Sequence, residues 1–225
     1  MEETQSKPPM ITLPSRSDCS YDHTVPIPEK KEAEIWQEFK AGSEVALVYI
    51  YKKFYHSLYH YASQFTKDRE IISDSIHDLF IELMQKRERL ADVSSIKFYL
   101  FRSVKISIIQ KLKHYQRMQA KESAENYAGY DFKLNLSTEQ LMIERAMTKE
   151  NMARVNAALK KLSKKQREII YCYYLEGLTI PEIAELMSFT NEKSAQNLLY
   201  KSLKSLRDML LIMSTIAWTG NLFEN

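Results

Sequence analysis

The nearest the chain comes to a catalytic or metal-binding constellation is two histidine arrangements. His56 and His60 stand four residues apart, one helical turn, a spacing at which two imidazoles can share a metal ion. No acid lies between them and no third ligand is evident, so partly exposed helix positions among Tyr55, Tyr59 and Tyr61 account for them better. His77-Asp78 is an adjacent pair of the kind metal-dependent hydrolases use, but its further ligands cannot be placed. A helical hydrolase built on these four residues is the enzymatic alternative. The four glycines, Gly42, Gly129, Gly177 and Gly220, lie too far apart to form a phosphate-cradling loop, which excludes the common nucleotide-binding turns. Cys19 and Cys172 make neither a disulfide framework nor a zinc site. The residues therefore predict no catalytic group, no metal, no cofactor and no small-molecule substrate.

Charge carries more information than the spacing of these histidines. Glu70, Asp74, Asp78 and Glu82 recur every four residues on one helical face, opposite an apolar stripe of Ile72, Ile76, Leu79 and Leu83. Like charges at that spacing cost an isolated helix roughly 0.2–0.5 kcal/mol per pair. The row is either a solvated face or a docking face for a basic partner. Residues 96–121 show the opposite bias: Lys97, Arg102, Lys105, Lys111, Lys113, Arg117 and Lys121, with no acid among them. Solvated faces usually mix signs, so this single-sign run favours phosphate binding. The formal net charge of +3 conceals both features.

The elements that position these residues are helical. Five of six prolines fall within the first 28 residues, so most of the chain is free of helix breakers. Residues 1–28 are rich in Pro, Ser and Thr without periodicity and read as a disordered leader. They begin Met1-Glu2-Glu3 with no apolar core, unlike a signal peptide. The longest apolar stretch, Met209 to Trp218, is too short to span a bilayer, and the expected location is cytoplasmic. A short helix bearing Trp36 and Phe39 ends at Gly42-Ser43, where Ser43 can cap a long helix to about Phe65. Its inward face is Leu47, Tyr51, Phe54, Leu58 and Ala62. The acidic helix runs from about Arg69 to Arg87, a loop occupies Ala91–Ile96, and the basic helix runs from about Lys97 to Met118. The stripe of the basic helix is Phe101, Val104, Ile108, Leu112 and Tyr115.

Lys121 to Leu136 is polar and aperiodic and reads as a linker. Capping boxes then open three helices: Ser137 with Gln140, Ser163 with Gln166, and Thr179 with Glu182. Gly177 suits the end of the second, and Leu178 with Ile183 forms a staple at the third, whose first turn holds Pro181. The helix Thr179–Met187, the turn Ser188–Asn191 and a last helix from Glu192 to at least Leu210 have helix-turn-helix spacing, with Ala184 small enough for the crossing. Ala195, Leu199, Leu206 and Leu210 point inward. Lys193, Ser194, Gln196 and Asn197 are placed to reach base edges, and Tyr200, Lys201, Lys204 and Arg207 suit phosphates. An ordinary helical hairpin is the alternative. The fold class is all-α: a leader (1–28), a four-helix domain (29–118), a linker (119–136) and a helix-turn-helix domain (137–225).

This order of acidic helix, basic helix, linker and helix-turn-helix resembles a bacterial sigma factor of the small extracytoplasmic-function group. The resemblance covers about residues 32–210. It is carried by DREIISDSIHDLFIELMQKRERL (68–90), LSKKQREIIYCYYLEGLTIPEIAELM (162–187) and FKAGSEVALVYIYKKFYHSLYHYA (39–62). It implies a non-enzymatic initiation subunit whose partners are core RNA polymerase, promoter DNA and an anti-sigma factor. The implied polymerase-binding residues are Asp74, Asp78, Leu79, Glu82 and Gln85. Those implied for the −10 element are Ser94, Ser95, Lys97, Arg102, Lys105 and Lys113, and the helix after the turn, with Lys193, Ser194, Gln196, Asn197, Tyr200, Lys201 and Lys204, becomes the −35 reader. The chain departs from the family pattern at Ile106, Gln110, Gln196 and Leu198, and at Ser188, which stands where the turn usually has glycine. A free-standing helix-turn-helix regulator is the remaining alternative, and it would need no polymerase-docking face.

Overall fold

A computed structural model describes residues 31–119, 131–134 and 149–223. Among them every regular element is helical. The N-terminal set is α1 (Glu32–Lys40), α2 (Glu44–Ser63), α3 (Arg69–Lys86) and α4 (Ile96–Gln119). The C-terminal set is α5 (Lys149–Lys161), α6 (Lys164–Ile170), α7 (Ile180–Leu186) and α8 (Glu192–Phe223). The leader, Cys19, and the Ser137–Gln140 box lie outside the described residues. None of the described helices is long and apolar enough to cross a membrane.

The starts follow side-chain chemistry. Ser43 Oγ accepts from the Ala46 amide at 3.3 Å to open α2, and Asp68 accepts from Glu70 and Ile71 to open α3. Both halves of the Ser163–Gln166 and Thr179–Glu182 boxes form. Each satisfies amides that a helix start leaves without a partner. At the far end of α6 the helix widens into a π-type turn, Tyr171–Leu175, and closes on Gly177 at φ +63°.

The apolar faces pack as the periodicity predicts, with one departure. The five inward residues of α2 and the α3 stripe are buried, as are Phe101, Val104 and Ile108 of α4. Tyr115, expected in that stripe, is about half exposed (47%) because α4 continues past the helices that cover its first turns. The two helical sets form one continuous apolar core. Its centre is aromatic: Tyr61 stacks on Phe101 (4.8 Å between centroids) and on Tyr171 (5.8 Å), joining α2, α4 and the π-type turn.

The described part of the expected linker, residues 131–134, is not a free tether. Phe132 and Leu134 are buried, and Phe132 packs against Phe65, Tyr61 and Tyr171. The Lys133 amide donates to Gln64 O at 2.7 Å, and Arg167 Nε donates to Phe132 O at 2.7 Å. The short apolar segment thus wedges between α2 and the C-terminal helices. Its two apolar residues, set among polar neighbours, are too few to carry a periodic signal.

Candidate nucleic-acid interface

The loop before α4 is held by α1. Trp36 Nε1 donates to Ala91 O at 3.0 Å, and Asp92 accepts from Lys40 (2.6 Å) and Gln37 (2.7 Å). Those hydrogen bonds hold the Asp92 carboxyl below its ordinary range. Ser94 is exposed. Ser95 is partly covered and its Oγ accepts from the Phe98 amide at 3.1 Å, so its hydroxyl oxygen serves as a cap for α4.

The basic helix departs most from its expected surface. Lys105 is buried (8% exposed), and its ammonium donates to Glu168 Oε1 at 2.6 Å and to Leu186 O at 3.1 Å. Glu168, fully buried on α6, also accepts from the Tyr61 hydroxyl at 3.0 Å. Two turns earlier, Lys97 pairs with Glu176 at 2.9 Å, and Glu176 in turn accepts from the Tyr171 hydroxyl at 2.8 Å. Burial and the neighbouring Glu176 push the Tyr171 hydroxyl far above its ordinary pKa, so it stays a donor. Arg102, on the rim, forms an ion pair with Glu185 of α7. Three cations predicted to face DNA therefore face carboxylates of the C-terminal set. Lys111 turns the other way and pairs with Asp78 of α3 at 2.6 Å. Lys113 is partly covered, while Ile106, Gln110 and Arg117 are exposed.

On α3, Asp74, Asp78, Glu82 and Gln85 form an exposed row. Glu82 pairs with Lys86 one turn on, at 2.5 Å, and Asp74 has no ion-pair partner among the described residues. Leu79 is a correction: at 5% exposed it belongs to the core and supports the row from beneath. Its place on the apolar stripe already pointed inward.

The helix-turn-helix assembles as the spacing predicts. Ala184 and Ala195 are buried where α7 and α8 cross. The turn between them carries a positive backbone angle at Ser188 (φ +56°), a region that favours glycine. On α8, Lys193, Gln196, Asn197, Tyr200, Lys201 and Lys204 are all exposed, Tyr200 at 70%. Ser194 is partly covered, and both its amide and its hydroxyl donate to Asn191 Oδ1, at 2.9 and 3.0 Å. Asn191 thus caps the helix, and the Ser194 hydroxyl, engaged with it, is less available to a base.

His56 and His60 meet through their Nε2 atoms at 2.9 Å. Among the described residues no group of three or more metal-ligating side chains gathers anywhere. Cys172 is buried against the Glu168–Lys105 pair, and burial raises its thiol pKa. Tyr61, Glu168, Glu176 and Glu185 are contacts the sequence reading missed. A signal existed: Lys97, Phe101, Lys105 and Ile108 recur at spacings of four and three, which puts two cations on an apolar face. A charge in that position demands a buried partner.

Comparison with known proteins agrees with this architecture. The model for sigma-70 region 2 matches residues 50–118, and that for sigma-70 region 4 matches residues 152–206. Together they cover more than half of the chain, which belongs to the sigma-70 family. It is a transcription initiation factor and not an enzyme. None of the curated proteins matches it significantly in sequence. Among solved structures, CnrH in complex with the cytosolic domain of CnrY is similar in fold: TM-score 0.51, 16% identity, 79% of this chain and 96% of that one. The sigma factor RpoE in complex with the anti-sigma factor NepR from Bartonella quintana follows at TM-score 0.49 and 15% identity, over 78% of this chain and 98% of that one.

Proposed function

We propose that this sigma factor binds core RNA polymerase through the exposed row of α3 and directs it to promoters by reading both a −10 and a −35 element. The observation that carries this reading is the pairing of two sigma-70 regions with two surfaces of opposite sign, the acids of α3 and the open cationic face of α8. In this reading Asp74, Asp78, Glu82 and Gln85 present carboxylates and an amide to a basic polymerase surface, with Leu79 holding them from below. Gln196, Asn197 and Lys193 meet base edges, while Tyr200, Lys201 and Lys204 meet phosphates. The loop Ser94–Ser95 and α4, with Lys97, Arg102, Lys105 and Lys113, engage the −10 strand, where an irregular backbone next to a helix can receive an unstacked base. In this reading the factor acts in the cytoplasm under the control of an anti-sigma factor; its fold neighbour CnrH is itself held in complex with the cytosolic domain of another protein, CnrY.

The test is copurification with core polymerase followed by transcription in vitro on genomic fragments. The wild type is expected to copurify and to start transcripts at defined sites. Asp74→Lys/Asp78→Lys is expected to lose polymerase while keeping its helical signal and melting temperature. Retention of polymerase by that variant overturns the docking assignment, and polymerase binding by neither protein would favour a free-standing regulator.

A further inference from the structure

The outer side of α2 carries two imidazoles that none of the polymerase or promoter surfaces uses. His56 Nε2 and His60 Nε2 lie 2.9 Å apart, with ring centroids 4.3 Å apart and ring planes at 80°. At that distance the two nitrogens cannot both carry a proton, so at least one turns a lone pair toward the other. The helix holds the pair in place. Leu58, Tyr61 and Ala62 are buried in the core, and the His60 carbonyl accepts from Ser63 Oγ at 2.7 Å and from Gln64 Nε2 at 2.9 Å. His56 is exposed and His60 partly covered, so solvent reaches the pair.

The separation of the nitrogens selects among metals. Imidazole binds divalent ions at about 2.0–2.1 Å, so two nitrogens 2.9 Å apart subtend an angle of roughly 90° at a shared ion. A tetrahedral ion with the same bond lengths would need them about 3.3–3.4 Å apart. A right angle between neighbouring ligands belongs to a tetragonal site, which suits Cu(II) and Ni(II), whereas Zn(II) in proteins is tetrahedral. α2 holds no acid after Glu44, so its donors here are nitrogen, a set that disfavours Mg(II) and Ca(II). We propose that His56 and His60 form a two-imidazole chelate for a divalent copper or nickel ion, with Cu(II) preferred and water completing the coordination. The absence of a third side-chain ligand does not count against such a site, because the helix has already ordered both imidazoles and binding need not supply that ordering. The pair exists only while α2 is helical, so the ion binds the folded chain and stabilises it. None of the residues assigned to polymerase or promoter takes part, and the proposal stands whatever those surfaces bind.

The untagged full-length protein is titrated separately with Cu(II), Ni(II) and Zn(II) against a competing chelator near neutral pH, and bound Cu(II) is examined by electron paramagnetic resonance. His56→Gln and His60→Gln are compared with the wild type and with a control, His77→Gln/His114→Gln, which changes two exposed histidines elsewhere. Wild type and control are expected to bind one Cu(II) per chain with nitrogen splitting from two imidazoles. Each single variant should bind it at least about tenfold more weakly, because the second imidazole no longer contributes its effective concentration. Affinity should fall from Cu(II) to Ni(II) to Zn(II), and Ni(II) should raise the melting temperature of wild type and control but of neither single variant. Equal Cu(II) affinity in the wild type and the single variants overturns the chelate, since the ion is then held elsewhere on the chain. Loss of binding in the control overturns it too, by placing the ion on His77 or His114. Tighter binding of Zn(II) than of Cu(II) overturns the right-angled geometry on which the choice of metal rests.

Discussion

α4 and α8 are both helices with a run of cations, yet one run is turned into protein and the other into solvent. Lys105 is 8% exposed and bonded to Glu168, while Lys201 and Lys204 lie open beside a Tyr200 that is 70% exposed. The difference lies in register rather than in charge. On α4, Lys97 and Lys105 share a face with Phe101 and Ile108, so burying the aromatic buries the cations with it. On α8, Lys193, Asn197, Tyr200, Lys201 and Lys204 stand opposite Ala195 and Leu199, so burying the alanine exposes them. A basic run thus indicates available phosphate contacts only when it lies off the apolar stripe.

The same substitution in the two helices should give opposite results. Lys105→Ala leaves Glu168 buried and uncompensated and is expected to destabilise the protein by about 3–5 kcal/mol in chemical denaturation. Lys105→Met/Glu168→Leu, which removes both charges, should recover most of that loss. Next in size, Tyr61→Phe deletes one of the hydrogen bonds to the Glu168 carboxylate and should cost about 1.5–3 kcal/mol by the same assay. At the turn, Ser188→Gly relieves a left-handed backbone angle and should stabilise by about 1 kcal/mol, read as a higher midpoint with unchanged slope. Arg102→Ala breaks only a rim pair, both partners being about half exposed, and should cost less than about 1 kcal/mol, falling further at high salt. Smallest of all, Lys201→Ala and Lys204→Ala should leave stability within about 0.5 kcal/mol. Their effect belongs to promoter binding: each should weaken it and lower the salt slope by about one unit. A stability loss at Lys201 comparable with that at Lys105 would erase the distinction between the helices.

Much of the fold was legible because it depends on neighbours in sequence. Ser43, Ser163 and Thr179 mark helix starts through bonds to residues three positions on, and the stripes of α2 and α3 need only periodicity. The exposed face of α8 follows from the same rule. What escaped notice depends on partners far along the chain. Glu168 lies 63 residues from Lys105 and 107 from Tyr61, so no window on α4 reveals that its cations have carboxylates waiting. Phe132 is buried because α2 and the π-type turn leave a slot for one ring, a property of the assembled helices. Leu79 is different: its inward position was readable from the stripe, and only the resemblance to a docking motif drew it to the surface set. The acidic and basic runs were correctly located, whereas their availability was a tertiary matter.

Lysine reactivity compares the two helices within one molecule. Brief acetylation of the full-length native protein, read by peptide mass spectrometry, ranks every lysine by access to reagent. Lys193, Lys201 and Lys204 should react at the rate of free surface amines, Lys97 more slowly, and Lys105 at least about tenfold more slowly than Lys201, since it reacts only through local opening. Acetylation of Lys105 as fast as Lys201 would contradict the account, because the basic helix would then be open in the resting protein.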